Sequence, residues 1–247
     1  MVDLSVLLGI SIGFLAIIGT LLFESNSISV IIQPTAALIV FGGTFGAALV
    51  NFSFLTIKTA FKEAFNPVLD SKENTTMVIH QIIELANIAR QEGTLIIESL
   101  ISTIEDSFLR KSLQLSLDTN NGEILKEILI SEIEFEEEKA LVSPHVFEVL
   151  GGYAPTFGII GAVLGLIHVM SNITNPAQLG YGISTAFVAT IYGVGAANMI
   201  FLPIAGKLKM RLREKIILRK IIAEGVLSIH KCENPIITKE KLFAYLR

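Results

Sequence analysis

The sequence predicts an all-α integral membrane protein with four transmembrane helices, a helical cytoplasmic domain between helices 2 and 3, and a basic helical C-terminal tail. Hydrophobic residues make up 51% of the 247 residues, and the mean hydropathy is +0.64, which is too apolar for an ordinary soluble domain. The charges are also segregated: Glu24 is the only charged residue between Leu4 and Ile57, and none lies between Val149 and Gly206. A bilayer explains both observations, because a charge at mid-membrane costs several kcal/mol.

Each uncharged tract is long enough for two spans, since about 20 helical residues cross about 30 Å of hydrocarbon. The predicted spans are 4–23, 34–54, 149–170 and 183–205, with polar breaks at ESNS (24–27) and SNITNPAQLGYG (171–182). A cleaved signal peptide is the alternative for the first span. No Lys or Arg precedes that apolar run and no small-x-small site follows it, so a retained span is favoured.

The basic residues predict the orientation. Lys58 and Lys62 follow the second span and KLKMRLREK (207–215) follows the fourth, whereas the loops at 24–33 and 171–182 contain no Lys or Arg. By the positive-inside rule, both termini and the middle block are cytoplasmic. The predicted division is therefore helices 1 and 2 (1–57), a cytoplasmic helical domain (58–147), helices 3 and 4 (148–206) and a cytoplasmic tail (207–247).

The cytoplasmic parts carry opposite charge. Residues 58–139 hold 8 basic and 16 acidic side chains, and residues 207–247 hold 11 basic and 4 acidic. This predicts that block and tail pack together or against neighbouring subunits; the alternative is that the tail lies beside anionic headgroups. The acidic run EFEEEK (134–139) resembles a docking patch, but a solvated helix face is the favoured interpretation.

The middle block reads as helices. A 3.6-residue apolar period ends at Gly93, a second pattern covers 95–104 and then 107–117, and DTNNG (118–122) precedes a helix over 122–141. The first period is formed by Met77, Ile79, Ile82, Ile83, Ala86 and Ala89.

No pattern for catalysis, cofactors or metal ions is present. The sequence lacks a nucleophile elbow, a Walker loop and a dinucleotide fingerprint, and its four histidines lie far apart at no metal-ligand spacing. The tail is a poor nucleic-acid surface, and the single cysteine, Cys232, allows no disulfide. We therefore predict a protein that is not an enzyme and holds no cofactor.

Small residues recur at helical spacing in every span, which lets helix backbones approach closely. The third span has Gly158, Gly161, Ala162 and Gly165, and the fourth has Thr185, Ala186, Ala189, Thr190, Gly193, Ala196 and Ala197. Two features go beyond packing. Pro155 and Pro203 each remove a backbone hydrogen bond near the predicted cytoplasmic ends of their spans, and Thr190 offers a hydroxyl to a cation or water, although Thr often bonds to its own helix.

Ion-driven membrane machines need an intramembrane carboxylate, and the spans contain none. If the chain handles ions, a partner helix that it surrounds must supply the carboxylate.

GGYAPTFGIIGAVLGLIHVM (151–170) and LGYGISTAFVATIYGVGAANMIFLPIAGKLK (179–209) resemble the MotA/PomA flagellar stator subunits of the MotA/TolQ/ExbB superfamily. The match is specific over about 60 residues, and the layout of the whole chain is similar. The resemblance implies a homopentamer around a MotB-like single-span dimer whose aspartate carries the ion. It also implies that Arg90 and Glu98 act on the rotor protein FliG.

By the resemblance, Pro155 and Pro203 match the family's two functional prolines. We expect the ion pathway and partner interface at Pro155, Ala162, Thr185, Thr190 and Pro203. Sodium-type members carry Thr where GIIGAVLG has Ala162, and such a hydroxyl beside Thr190 would add an oxygen ligand that a dehydrated sodium ion needs. Ala162 therefore favours protons as the transported ion over Na⁺.

Two alternatives stay open at this point. A TolQ/ExbB-type energiser of an envelope protein typically has three spans, which the four-span prediction disfavours. A self-sufficient channel would need its own polar groups, and only Thr185, Thr190 and His168 are available. For His168 a helix-contact role is favoured over proton relay.

Overall fold

The computed structural model describes residues 8–9, 11–13, 15–16, 19, 31–65, 71–171, 174 and 176–246, whose regular structure is entirely helical. The predicted all-α class is therefore confirmed. The helices are α1 (Pro34–Asn51), α2 (Phe54–Phe65), α3 (Ser71–Glu92), α4 (Ile97–Leu100), α5 (Ser107–Asp118), α6 (Gly122–Ser171), α7 (Pro176–Ala196), α8 (Leu202–His230) and α9 (Pro235–Ala244). Two 3₁₀ turns, Thr94–Ile96 and Ile101–Thr103, flank α4. One π-helical stretch, Leu38–Gly42, lies inside α1, and another, Ala197–Phe201, joins α7 to α8.

Two compact units make up the chain. The apolar unit comprises Met1–Pro67 and Leu141–Lys209, and the charged unit comprises Val68–Ala140 and Met210–Arg247. Helices α6 and α8 contribute residues to both units.

Three apolar helices in the described part of the chain are long enough to cross a membrane: α1, α6 and the continuous helix Leu179–His230. The predicted first span, 4–23, falls largely outside the described residues. Its described residues are helical, and a Cβ atom added to Gly13 would lie 2.7 Å from Met199 Cε.

Aromatic rings fill the core at one end of the apolar unit. The rings of Phe61 and Phe147 lie 4.9 Å apart between centroids, and those of Phe45 and Phe201 meet edge to face at 6.3 Å. These contacts fix α1, α2, α6 and the α7–α8 junction against one another.

The charged unit has an aliphatic core made by α3, α5, the first part of α6 and the later part of α8. The Asp106 carboxylate caps α5 by accepting from the Leu109 N–H at 2.8 Å. Gly93 follows α3 with a φ of +92°, a left-handed conformation that favours glycine, so the predicted stop there is confirmed. The fully buried side chains of this core include Ile79, Ile82, Leu109, Leu113, Leu125, Leu129, Ile221 and Ile222.

Two details of the predicted helices are wrong. Met77 is 69% exposed and Val78 is buried in its place, because a run of adjacent apolar residues leaves the helical phase undetermined by one position. The pattern at 95–104 is also broken into a 3₁₀ turn, one α-turn and a second 3₁₀ turn.

Helix α6 continues for 50 residues, from the predicted helix at 122–141 into the predicted third span, with Pro144 and Pro155 inside it. Helix α7 begins at Pro176, within the predicted loop at 171–182. Proline suits the first turn of a helix, where its missing N–H would have no intrahelical partner.

The predicted packing of the acidic block on the basic tail is confirmed. Glu136 pairs with Lys215 and with Arg219, each at 2.7 Å, and the Arg219 guanidinium lies 4.5 Å from the centroid of the Phe108 ring. EFEEEK is mostly the solvated helix face that was predicted, with Glu134, Phe135, Glu138 and Lys139 exposed, whereas Glu136 is paired with the tail.

Candidate functional site

The third and fourth predicted spans meet through glycine, backbone against backbone. A Cβ atom on Gly193 would lie 2.5 Å from the Ala154 carbonyl oxygen, and one on Gly165 would lie 2.8 Å from the Gly182 carbonyl oxygen. A Cβ atom on Gly158 would lie 3.0 Å from the Ala189 carbonyl oxygen. The predicted small-residue faces are thus confirmed as a close contact between α6 and α7.

Helix α1 joins this pair through polar groups at one end. The Gln33 amide donates to Ser184 Oγ at 2.6 Å, and the Tyr192 hydroxyl donates to the Ile31 carbonyl. Further along, the Phe41 and Tyr192 rings lie 6.0 Å apart. The three helices therefore pack together in the apolar unit.

The structure brings the two proline-bearing segments together. Pro155 is half-buried inside α6, and Pro203 is exposed at the second position of α8, directly after the π-helical stretch. A Cβ atom on Gly151 would lie 2.7 Å from Leu202 Cδ2. Because proline has no N–H, Pro155 leaves the Gly151 carbonyl without its usual helical hydrogen bond. Gly151 in turn contacts Leu202, the residue before Pro203.

The two candidate threonines lie in different surroundings. Thr190 is exposed and donates to the Ala186 carbonyl at 3.1 Å, whereas Thr185 is buried and donates to the Tyr181 carbonyl at 2.9 Å. Each hydroxyl oxygen keeps lone pairs that can accept another hydrogen bond. Ala162 is half-buried and lies one turn after Gly158 in α6. A Cβ atom on Gly158 would lie 3.5 Å from Thr190 Cα.

Thr190 belongs to an exposed stripe on the fourth predicted span. At about 100° per residue, the stripe covers an arc of about 120°. Apart from Thr190 and Asn198, its members are apolar. The stripe consists of Ile183, Phe187, Thr190, Ile191, Val194, Asn198 and Leu202.

Asn198, which is not among the sequence-predicted site residues, is an exposed amide that donates to the Val194 carbonyl at 3.0 Å. Its carboxamide oxygen is a strong acceptor in a tract without charged residues. The signal was present in the sequence, because a carboxamide inside a predicted span is costly in lipid and therefore exceptional. Thr190 and Asn198 are the polar groups that the fourth span offers to whatever covers this face.

His168 and Thr185 line a separate cavity of about 270 Å³ in the apolar unit, together with Thr35 and Tyr181. The His168 and Tyr181 rings meet edge to face at 6.4 Å, and the Thr35 and Tyr181 hydroxyls are 3.4 Å apart. The ring contact agrees with the favoured helix-contact role for His168. Thr185 thus lies on the buried side of α7 and Thr190 on its exposed side.

A charged cluster precedes the third predicted span. Lys209 donates to the Glu148 carboxylate at 2.5 Å, and His145 Nδ1 lies 3.5 Å from the same side chain. This cluster joins α6 to α8 immediately outside the charge-free tract.

The predicted rotor-contact residues lie in the charged unit on either side of Gly93. Arg90 is exposed in the last turn of α3, and Glu98 is exposed in α4. Neither side chain forms an ion pair or hydrogen bond with another described residue. Both are therefore available to an external partner.

Comparison with known proteins covers almost the whole chain. The model of the MotA/TolQ/ExbB proton channel family matches residues 100–220, and that of the Motility protein A N-terminal family matches residues 7–93. Motility protein A of Bacillus subtilis is 35% identical over 99% of this chain and 91% of its own length.

Two solved structures are also similar. The MotAB structure of C. jejuni has a TM-score of 0.87 and 32% identity, covering 99% of this chain and 96% of that chain. The flagellar MotAB stator complex from Bacillus subtilis has a TM-score of 0.86 and 34% identity, covering 98% of this chain and 95% of that one.

Proposed function

The chain belongs to the motility protein A family, within the MotA/TolQ/ExbB proton channel proteins, and we propose how its structure performs the work of that family. It is a stator subunit of the flagellar motor in the cytoplasmic membrane, not an enzyme, and it couples ion flux to torque. The observation that carries this conclusion is similarity to motility protein A along 99% of the chain. It also favours a stator over the alternative of a TolQ/ExbB-type energiser.

We propose that the chain crosses the membrane four times, with both termini and the charged unit in the cytoplasm. The charge-free tracts and the flanking Lys and Arg residues support this orientation. The division at 57/58, 147/148 and 206/207 then separates membrane from cytoplasm.

The partner is a MotB-like single-span dimer, surrounded by a homopentamer of this chain. The solved relatives are MotAB complexes, and the spans of this chain contain no carboxylate to carry an ion. The partner's aspartate fills that role. We place it against the exposed stripe of α7 and α8, where Thr190 and Asn198 can accept hydrogen bonds from the hydrated ion.

The remaining proposed pathway residues determine the flexibility of the helices and the groups that line the pathway. Pro155 and Pro203 loosen the contacting segments of α6 and α8, and Ala162 leaves the pathway without a second hydroxyl. Thr185 supports the interface from its buried side. A pathway with this few oxygen ligands suits a proton better than a dehydrated sodium ion.

Complementation tests the function. In a strain that lacks its own stator, this chain and its single-span partner should restore swimming only when both are expressed. A partner whose aspartate is replaced by Asn is the control for ion coupling. Restoration of an envelope-transport defect without swimming would favour the energiser instead.

The transported ion can be identified by measuring swimming speed at different external sodium concentrations and fixed pH. We expect a flat curve, because protons carry the current. A steep dependence on sodium would overturn the proton assignment.

Arg90 and Glu98 are proposed to contact FliG. Reversing both charges, Arg90→Glu with Glu98→Lys, should weaken swimming while leaving the protein in the membrane. Glu92→Lys, at a neighbouring exposed position, is the matched control. Full swimming in the double reversal would exclude this contact.

A further inference from the structure

Helix α2 is a separate element placed directly at the end of a candidate membrane span. Phe52 ends α1 in an extended conformation, with φ −129° and ψ 148°, and the Ser53 hydroxyl accepts from the Thr56 N–H at 3.1 Å as α2 begins. Phe54 therefore lies within about 10 Å of Asn51, because a chain advances at most about 3.3–3.6 Å per residue. Helix α2 therefore begins at the membrane depth at which α1 ends.

One face of α2 packs against other helices of the apolar unit. Ile57 and Ala60 are buried, and the Phe61 ring packs 4.9 Å from that of Phe147 and 6.2 Å from that of Phe45, between centroids. This face anchors the helix, so the direction of its exposed side is fixed.

A second side of α2, about 120° around the helix from the buried one, carries large apolar side chains that no described residue covers. Phe54 is 74% exposed, Leu55 71% and Phe65 72%. Lys58 and Lys62 are exposed among them. At about 100° per residue, these five side chains fall within an arc of about 100°.

The two lysines indicate whether protein or lipid covers this arc. Neither forms an ion pair or hydrogen bond with any residue that the structure describes. An apolar protein interface would leave two like charges desolvated without carboxylates. A headgroup layer instead accepts both kinds of side chain, because aromatic rings lie at the acyl boundary while lysine stems extend to the phosphates.

We propose that the outer face of α2, formed by Phe54, Leu55, Lys58, Lys62 and Phe65, lies in the cytoplasmic headgroup layer and selectively binds anionic phospholipid. The inference rests on the proposed membrane placement of α1, but not on ion coupling or rotor contact. Each lysine near an anionic surface contributes about fivefold in affinity, so the pair should give about 25-fold over a zwitterionic lipid.

The absence of tryptophan from the sequence permits a direct test. Phe65→Trp places a fluorophore on the exposed side of α2, and Phe61→Trp places one against Phe147 inside the apolar unit as the matched control. The full chain, purified with its partner after the partner's own tryptophans are replaced by Phe, is reconstituted into phosphatidylcholine vesicles that contain phosphatidylglycerol. Either lipid is supplied in brominated form, which quenches tryptophan fluorescence on contact.

We expect strong quenching of the Phe65→Trp protein, with brominated phosphatidylglycerol effective at a much smaller mole fraction than brominated phosphatidylcholine. The Phe61→Trp protein should be quenched weakly by both. Adding Lys58→Gln and Lys62→Gln should remove the preference for phosphatidylglycerol, whereas Lys58→Arg with Lys62→Arg should keep it.

Equal quenching by the two lipids in the Phe65→Trp protein would overturn the proposal, since the face would then meet lipid without selecting its charge. Absence of quenching by either lipid would also overturn it and would indicate that a neighbouring copy covers the face. Neither result depends on swimming, so a failed proposal and a failed stator assignment remain distinguishable.

Discussion

The exposed amide of Asn198 lies on the same face of the fourth predicted span as Thr190. The other side chains of that face are apolar. In lipid, both polar groups would be costly. Their own helix satisfies one donor of each, because Thr190 bonds to Ala186 and Asn198 to Val194. In the proposed pathway, their acceptor oxygens serve the ion, its water or the partner.

Replacing the amide tests this assignment. Asn198→Leu keeps the side-chain size and removes a hydrogen bond to a charged species worth about 1.5–3 kcal/mol, so ion flux should fall about tenfold or more. The measurement is proton flux, followed with a cytoplasmic pH indicator, together with motor speed. Val194→Leu, on the same stripe, should leave both unchanged. Normal flux in Asn198→Leu would show that this face does not meet the ion.

At the scale of helices, the contact between α6 and α7 depends on positions where any side chain collides with backbone. Gly193→Ala would place Cβ 2.5 Å from the Ala154 carbonyl oxygen. Since backbone cannot move aside as a flexible side chain does, we expect a destabilisation of about 1–3 kcal/mol. Thermal unfolding of the detergent-solubilised protein should show a lower midpoint.

Gly195→Ala is the matched control for that variant. It lies two residues away on the same helix, and no heavy atom is within 4 Å of its added Cβ. An equal loss of stability in both variants would mean that helix flexibility matters here, and not close approach.

Helix α9 is tied to the end of α8 by a pH-dependent contact. Lys241 donates to Glu233 at 2.8 Å, and this hydrogen bond lowers the pKa of Glu233 below its ordinary value of 4.5. The resulting stabilisation is fully present above pH 4.5 and is lost as the pH falls through the lowered pKa. Both side chains are partly exposed, so its size is about 1 kcal/mol or less.

Lys241→Met should therefore reduce stability at neutral pH and flatten the loss between pH 4.5 and more acid conditions. Thermal midpoints across that range give the measurement. Lys239→Met removes a charge from the same helix without an ion pair in the described part of the chain, and should keep the wild-type slope. An unchanged slope in Lys241→Met would contradict the assignment.

At the scale of the whole molecule, the proposed rotor contact requires movement in the spans to reach the charged unit, and α6 and α8 are the helices that contribute to both. Pro155 lies inside α6, where it deprives the Gly151 carbonyl of its partner. Pro155→Ala restores that bond and favours the straight helix by about 3 kcal/mol, on the order of a hundredfold in the ratio of straight to bent forms.

We expect Pro155→Ala to slow rotation without loss of assembly, measured by the speed of tethered cells and by co-purification with the partner. Because Gly151 touches Leu202, the effect should not add to that of Pro203→Ala. Unchanged torque in Pro155→Ala would remove the hinge from the mechanism.

The sequence by itself determined the features that depend on composition and period: the helical class, the apolar tracts, the small-residue faces and the need for an external carboxylate. It also predicted the packing of acidic block and basic tail, because opposite charges attract wherever they meet. These properties follow from local chemistry and from the solvent that each segment requires.

Only the tertiary structure decided the properties that depend on which side of a helix meets a neighbour. It placed Thr185 on the buried side of α7 and Thr190 on the exposed side, brought Gly151 against Leu202, and revealed Asn198 and the outer face of α2. Both sides of a membrane helix are apolar, so a hydrophobic period cannot distinguish lipid from protein. Burial and contact between distant segments supply that distinction.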